Sequence, residues 1–157
     1  MMADVDMDKA LEVYNDLIDT LDAMELKYQR DDDKLTINLG FNGDDLPMEL
    51  YLVIKPENHL IQLISPMVFR APEDKRVEIA CAVCVANYGM IDGSFDCDIS
   101  DGSILFRLTS SYRDSDIGRE LFKYMINVSL ATIEKYNDRF FMLTRGMIDL
   151  EKFSAME

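Results

Sequence analysis

The sequence has only one histidine, no tryptophan and three cysteines. The single histidine, His59, has no serine or cysteine nucleophile beside it, so we interpret it as a surface turn residue rather than a catalytic base. A zinc site around the Cys81-x-x-Cys84 pair would need both Cys97 and His59, and we expect none. The acidic runs lack the spacing and closing glutamate of a calcium loop. We therefore expect no enzyme activity, no cofactor and no metal.

Long apolar runs and basic runs are also missing. No apolar stretch reaches membrane-spanning length, and residues 1–6 lack the basic and apolar regions of a signal peptide. We therefore expect no membrane partner and a cytoplasmic location, where cysteines stay as free thiols. The formal net charge is −14, from 16 basic and 30 acidic residues. Such a charge repels phosphate backbones, so we expect no nucleic-acid partner.

The apolar periodicity predicts the element order α-β-β-β-α-β-β-α in one domain over residues 1–157, with a core at 8–145 and an amphipathic C-terminal tail at 146–157. The predicted helices cover residues 8–26, 72–88 and about 114–144, and the predicted strands cover 35–41, 48–54, 60–64, 95–99 and 104–108. The segment Lys27–Arg30 is a candidate for a further weak strand. Strands grouped between helices favour an α+β fold, with helices packed on an antiparallel sheet of about five strands.

The dipeptide Asp101-Gly102 separates two alternating apolar runs, which is a strong signal for a hairpin with a two-residue type I′ turn. Such a turn would place Ile99 opposite Ile104 and Asp96 opposite Arg107. The apolar residues of both strands would then share one face of the hairpin.

The second predicted helix has no polar side chain between Ile79 and Ala86. A helix that is apolar all round is expected to be buried on more than one side, by the sheet and by either another helix or a second subunit. We therefore expect Cys81 and Cys84 to be buried packing residues that react slowly with thiol reagents.

Several apolar side chains have no clear place in a core. Leu105 falls on the outer side of the hairpin, and Tyr51 and Val53 fall on the outer side of their strand. Either helices cover both faces of the sheet, or these residues belong to a binding surface. The candidate surface for a partner or for a dimer comprises Ile79, Val83, Ala86, Leu105, Tyr51 and Val53.

The segment from Val85 to Arg107 resembles the core of the YbjN family. In that family a helix ends in an Asn-rich turn, and a strand similar to Gly-x-Phe-x-x-Asp leads to an Asp-Gly turn and an apolar-aromatic strand. Residues 93–98 and the dipeptide Asp101-Gly102 fit that pattern. The helix through Ala131–Tyr136 is also similar, so the resemblance covers roughly residues 8–145.

YbjN-like domains are similar in architecture to type III secretion chaperones, which are small, acidic, usually dimeric proteins that bind unfolded segments of effectors. The resemblance implies a homodimer and a non-enzymatic chaperone-like or regulatory module. Its partner would be another protein, bound through an apolar or amphipathic segment on the sheet face or along an edge strand. The alternative is a regulatory domain that responds to a small ligand in a pocket between helix and sheet.

Overall fold

The computed structural model describes residues 5–157, so most of the acidic stretch at 1–6 lies outside the described residues. The helices are α1 (Met7–Ala23), α2 (Arg76–Tyr88), α3 (Arg119–Thr144) and α4 (Leu150–Ala155). The strands are β1 (Gln29–Asp31), β2 (Thr36–Asn42), β3 (Pro47–Lys55), β4 (Leu60–Arg70), β5 (Ser94–Asp98) and β6 (Ser103–Ser111). Short 3-10 turns at Pro56–Asn58 and Glu73–Lys75 lead into β4 and α2.

All strands belong to one antiparallel sheet with the order β1-β2-β3-β4-β6-β5. The predicted α+β fold is confirmed, but the sheet has six strands rather than five. The additional strand is β1, which overlaps the weak candidate at Lys27–Arg30 and pairs with β2. The C-terminal tail forms α4 and buries Phe153 completely, so it contributes to the core.

Strand β4 continues six residues beyond the predicted end at Ile64. The extension contains Pro66, although proline cannot donate to a sheet ladder and is usually confined to edges and bulges. In the structure Pro66 pairs with Leu105, and the register shifts between Pro66 and Arg70. The proline therefore lies at the start of an irregular stretch of a central strand, which agrees with the preference of proline for bulges.

The predicted register of the β5–β6 hairpin is wrong by two residues. Asp98 pairs with Ser103 and Cys97 pairs with Ile104, so four residues rather than two connect the strands. Ile99 is therefore not opposite Ile104 and lies in the loop with 60% of its surface exposed. A shift of two residues preserves the alternation of faces, and so the apolar residues still share one side.

A contact with the segment before α2 explains the longer loop. Gly102 has φ +78 and donates its N–H to the Asp98 carbonyl at 2.7 Å. The Ala71 N–H donates to the Gly102 carbonyl at 2.8 Å, and a Cβ at Gly102 would overlap the Ala71 carbonyl oxygen. Arg76 also donates to the Ser100 carbonyl at 2.8 Å. These long-range contacts select the loop geometry over the local type I′ preference.

Candidate functional site

The helices pack on one face of the sheet, and in residues 5–157 the opposite face has no helix over it. The predicted outward residues Tyr51, Val53 and Leu105 all lie on this uncovered face, where they are half-buried by their neighbours. We define the open sheet face by its apolar residues, which are Tyr51, Val53, Ile64, Pro66, Val68 and Leu105.

The strand register brings these side chains together. Tyr51 pairs with Ile64 across β3 and β4, and Pro66 pairs with Leu105 across β4 and β6. Paired residues of neighbouring strands point to the same face, so the apolar group is continuous across the three central strands. Pro66 and Val68 are missing from the predicted candidate surface because the predicted strand ends at Ile64, and Ile64 itself lies in that strand but is not among the predicted candidates. The alternation of inward Met67 and Phe69 with outward Val68 is the signal that would have found them.

Charged side chains surround the apolar centre of the open sheet face. Arg107 binds Asp96 at 2.7 Å, which realises the predicted ion pair as a diagonal contact. The Tyr51 hydroxyl donates to the Glu49 carboxylate at 2.8 Å, and this hydrogen bond raises the pKa of Tyr51. An apolar centre with a charged rim is the composition typical of a protein-binding surface.

The edge of the sheet at β5 is partly closed by a side chain. The Asn87 amide accepts the Phe95 N–H at 2.8 Å and donates to the Phe95 carbonyl at 3.0 Å. Asn87 thus occupies both backbone groups through which an added strand would pair at this position. The face of the sheet is therefore more available to an extended partner than this edge.

The predicted candidate residues of α2 lie in the core. Ile79, Val83 and Ala86 are buried against the rest of the chain, and so they do not form an exposed surface in the single chain. The exposed residues of α2 are Val77, Cys81, Cys84 and Tyr88. We call these four residues the α2 stripe.

The prediction that Cys81 and Cys84 are buried is wrong, because both are exposed free thiols. The expectation of slow thiol labelling therefore loses its basis. The side of α2 that carries Ile79 and Ala86 packs on the core, which leaves the opposite side uncovered. An all-apolar composition did not imply burial on every side, because small residues such as alanine and cysteine tolerate either environment.

His59 occupies the predicted turn, but its ring is half-buried rather than free at the surface. It ends the 3-10 turn with φ +56, and its ring packs edge-on against Tyr112 with centroids 5.9 Å apart. Both residues line an open cleft of about 430 Å³. Burial raises the pKa of Tyr112, whose hydroxyl has no hydrogen-bond partner within the described chain.

Two further properties concern the whole described region. Between residues 5 and 157, no group of three or more His, Cys, Asp or Glu side chains is placed to hold a metal ion. None of the helices in that region combines the length and apolar character needed to cross a membrane.

Solved structures show which class of fold this is. One chain of the HopA1–SchA chaperone–effector complex superposes with a TM-score of 0.61 at 17% identity, covering 86% of this chain and 99% of that chain. YbjN from E. coli superposes with a TM-score of 0.56 at 12% identity, covering 77% of this chain and 85% of that chain. The protein therefore has a secretion-chaperone-like α+β fold.

The family follows from the sequence match. The model of the YbjN family, described as "Putative bacterial sensory transduction regulator", matches residues 14–142. The chain belongs to the YbjN family, and the resemblance noted in its middle segment is confirmed. No curated protein matches the chain.

Proposed function

We propose that this protein is a non-enzymatic, cytoplasmic protein-binding module with a chaperone-like or regulatory role. Its partner contributes an apolar or amphipathic segment, which lies across the open sheet face. The observation that carries the proposal is the continuous apolar group around Tyr51, Ile64 and Leu105 on a face without a helix. A structural likeness to a chain of a chaperone–effector complex supports the same reading.

The charge pattern specifies the partner further. The chain carries a formal net charge of −14, so a segment that combines apolar residues with lysine or arginine is attracted to it. On the open sheet face, Asp96 and Glu49 lie beside the apolar centre, although each already binds a neighbour. We therefore propose an amphipathic segment with a basic flank as the preferred ligand.

The small-ligand alternative has less support. Such a function would favour a closed apolar cavity between helix and sheet. The clefts found among the described residues are of similar size and open to solvent, and the most apolar of them, near Ile91 and Tyr124, lies beside α3 rather than under the sheet. The geometry therefore favours a protein ligand.

The test compares captured partners between matched variants. Ile64→Thr and Leu105→Thr each replace an aliphatic side chain of the apolar centre by a shorter, polar one, and threonine is β-branched and therefore suited to a strand. Ile99→Thr makes a comparable change at an exposed loop residue outside the open sheet face. Each protein is used as bait in host lysate, and bound proteins are quantified by mass spectrometry.

We expect Ile64→Thr and Leu105→Thr to lose the same partners that wild type and Ile99→Thr retain. A photo-crosslinking residue at position 68, close to the apolar centre, should label those partners directly. Retention of every partner by both sheet variants, with equal thermal stability, would contradict the proposed face.

We also propose that the protein forms a two-fold homodimer through the α2 stripe. This surface takes the place of the predicted residues Ile79, Val83 and Ala86, which are buried. Val77 and Tyr88 at the ends of the stripe are 73% and 96% exposed, so a partner on this surface would remove apolar area from water. Isologous pairing about a two-fold axis is the commonest way to cover such a surface.

A further inference from the structure

The α2 stripe has a regular spacing. Its members, Val77, Cys81, Cys84 and Tyr88, are separated by four, three and four residues. At 100° per residue these positions lie within a narrow arc, so the four side chains form a single line along the helix. The two thiols occupy the middle of this line and the two larger side chains occupy its ends.

The line is also symmetric about its centre. The midpoint between Cys81 and Cys84 coincides with the midpoint between Val77 and Tyr88. When two copies of such a helix pair antiparallel about a two-fold axis through that midpoint, Cys81 of one copy comes level with Cys84 of the other. Val77 comes level with Tyr88 in the same way, and the small central residues allow close approach of the helices.

The charge distribution favours a second copy as the occupant. Residues 79–91 contain no charged side chain, whereas the whole chain carries a formal net charge of −14. Arg76 and Glu78, at the start of α2, already bind the Ser100 carbonyl and the Leu150 N–H. Two equally acidic copies can approach closely only through uncharged surface, and the α2 stripe provides such a surface.

We propose that Cys81 and Cys84 form a reversible disulfide lock between two copies, a proposal that rests on the proposed α2 dimer. Packed helix axes lie about 8–10 Å apart. At that separation the Cα atom of Cys81 in one copy lies roughly 4.5–6.5 Å from the Cα atom of Cys84 in the other copy. Disulfides span Cα distances of roughly 4.4–6.8 Å. The two Cys81 residues of the dimer are offset along the helix axis by about 4.5 Å, and so are the two Cys84 residues, so these pairs align less well for a disulfide.

The chemistry is exchange with a low-molecular-weight disulfide such as oxidised glutathione. The Cys81 thiolate attacks that disulfide, forms a mixed disulfide and releases one glutathione thiolate. The Cys84 thiolate of the second copy then attacks the Cys81 sulfur and releases the second glutathione. The product is a neutral disulfide, which suits an uncharged apolar seam better than a metal–thiolate cluster with net negative charge.

The experiment exposes the full-length protein to oxidised glutathione and follows covalent dimer by non-reducing gel and intact mass. Wild type and Cys97→Ser should form covalent dimer that dithiothreitol reverses. Cys81→Ser alone and Cys84→Ser alone should form several-fold less. An equimolar mixture of these two variants should recover up to about half of the wild-type yield, because half of randomly assorted pairs contain one aligned Cys81–Cys84 pair.

The other outcomes are equally distinct. Light scattering on the reduced protein first establishes whether a non-covalent dimer exists. If it does, but oxidation of the wild type yields no covalent dimer, or the mixture yields no more covalent dimer than the single variants, the proposed pairing of Cys81 with Cys84 is wrong while a non-covalent dimer stands. A monomer at every concentration removes the dimer and the lock together. Protein capture by the open sheet face is independent of both results.

Discussion

The Tyr14 hydroxyl on α1 donates a hydrogen bond to the Asp32 carboxylate at 2.8 Å. The same carboxylate accepts from Arg30 at 2.7 Å, and the Arg30 guanidinium lies 5.8 Å from the Tyr14 ring centroid. These contacts join α1 to the turn between β1 and β2, the least extensively paired end of the sheet. We expect Tyr14→Phe to lower the free energy of unfolding by about 1 kcal/mol, measured by urea denaturation, because it removes one hydrogen bond and keeps the ring. An unchanged midpoint would show that this bond contributes nothing.

The same pair predicts a pH dependence. Burial, followed by the hydrogen bond to Asp32, raises the pKa of Tyr14 to about 12. A phenol whose folded pKa exceeds its unfolded value contributes stability below about pH 10 and loses it as the pH rises toward 12. The difference in unfolding free energy between wild type and Tyr14→Phe should therefore shrink from pH 9 to pH 11. A difference that is constant or grows over this range would contradict the assignment.

A second prediction concerns Asn87. Its amide satisfies both backbone groups of Phe95, so Asn87→Ala leaves an N–H and a carbonyl at the sheet edge without a partner. We expect a loss of about 1–3 kcal/mol in unfolding free energy and a greater tendency to aggregate, because an unpaired edge invites strand addition. Chemical denaturation and light scattering measure the two effects. Asn58→Ala, at an exposed turn position, is the matched control and should change neither.

Gly102 provides a third prediction. Its φ of +78 and its close approach to Ala71 both exclude a side chain without local rearrangement. We expect Gly102→Ala to destabilise the fold by about 1–3 kcal/mol, because strain and overlap act together. Gly40→Ala is the control, since nothing lies within 4 Å of its added Cβ and alanine fits a strand better than glycine. Equal thermal midpoints for the two variants would refute the role assigned to Gly102.

The local alternation of apolar residues predicted the strands, whereas contacts between segments remote in sequence determined the hairpin loop and the exposed side of α2. Alternation in residues 35–41 and 48–54 predicted β2 and β3 because each strand has one buried side. The hairpin loop was mispredicted because the contact between Gly102 and Ala71 joins segments that are remote in sequence. The exposure of Cys81 could not be predicted from the apolar sequence of α2, because the elements that pack against the helix determine which of its sides is buried. Leu105 was placed correctly because strand alternation determines its side.

The final prediction concerns self-association. Repulsion between two copies of net charge −14 opposes a dimer whose seam is uncharged, and added salt screens that repulsion. Light scattering at micromolar concentration under reducing conditions should therefore show a dimer fraction that rises from low to moderate salt. Val77→Asp, in the α2 stripe, should keep the protein monomeric because it places two carboxylates in the apolar seam. Leu11→Asp, at a 43% exposed position on α1, makes the same change elsewhere and should dimerise almost as wild type does. Equal dimer fractions for the two variants would show that the dimer interface does not include the α2 stripe. A monomeric wild type at all salt concentrations would exclude the dimer.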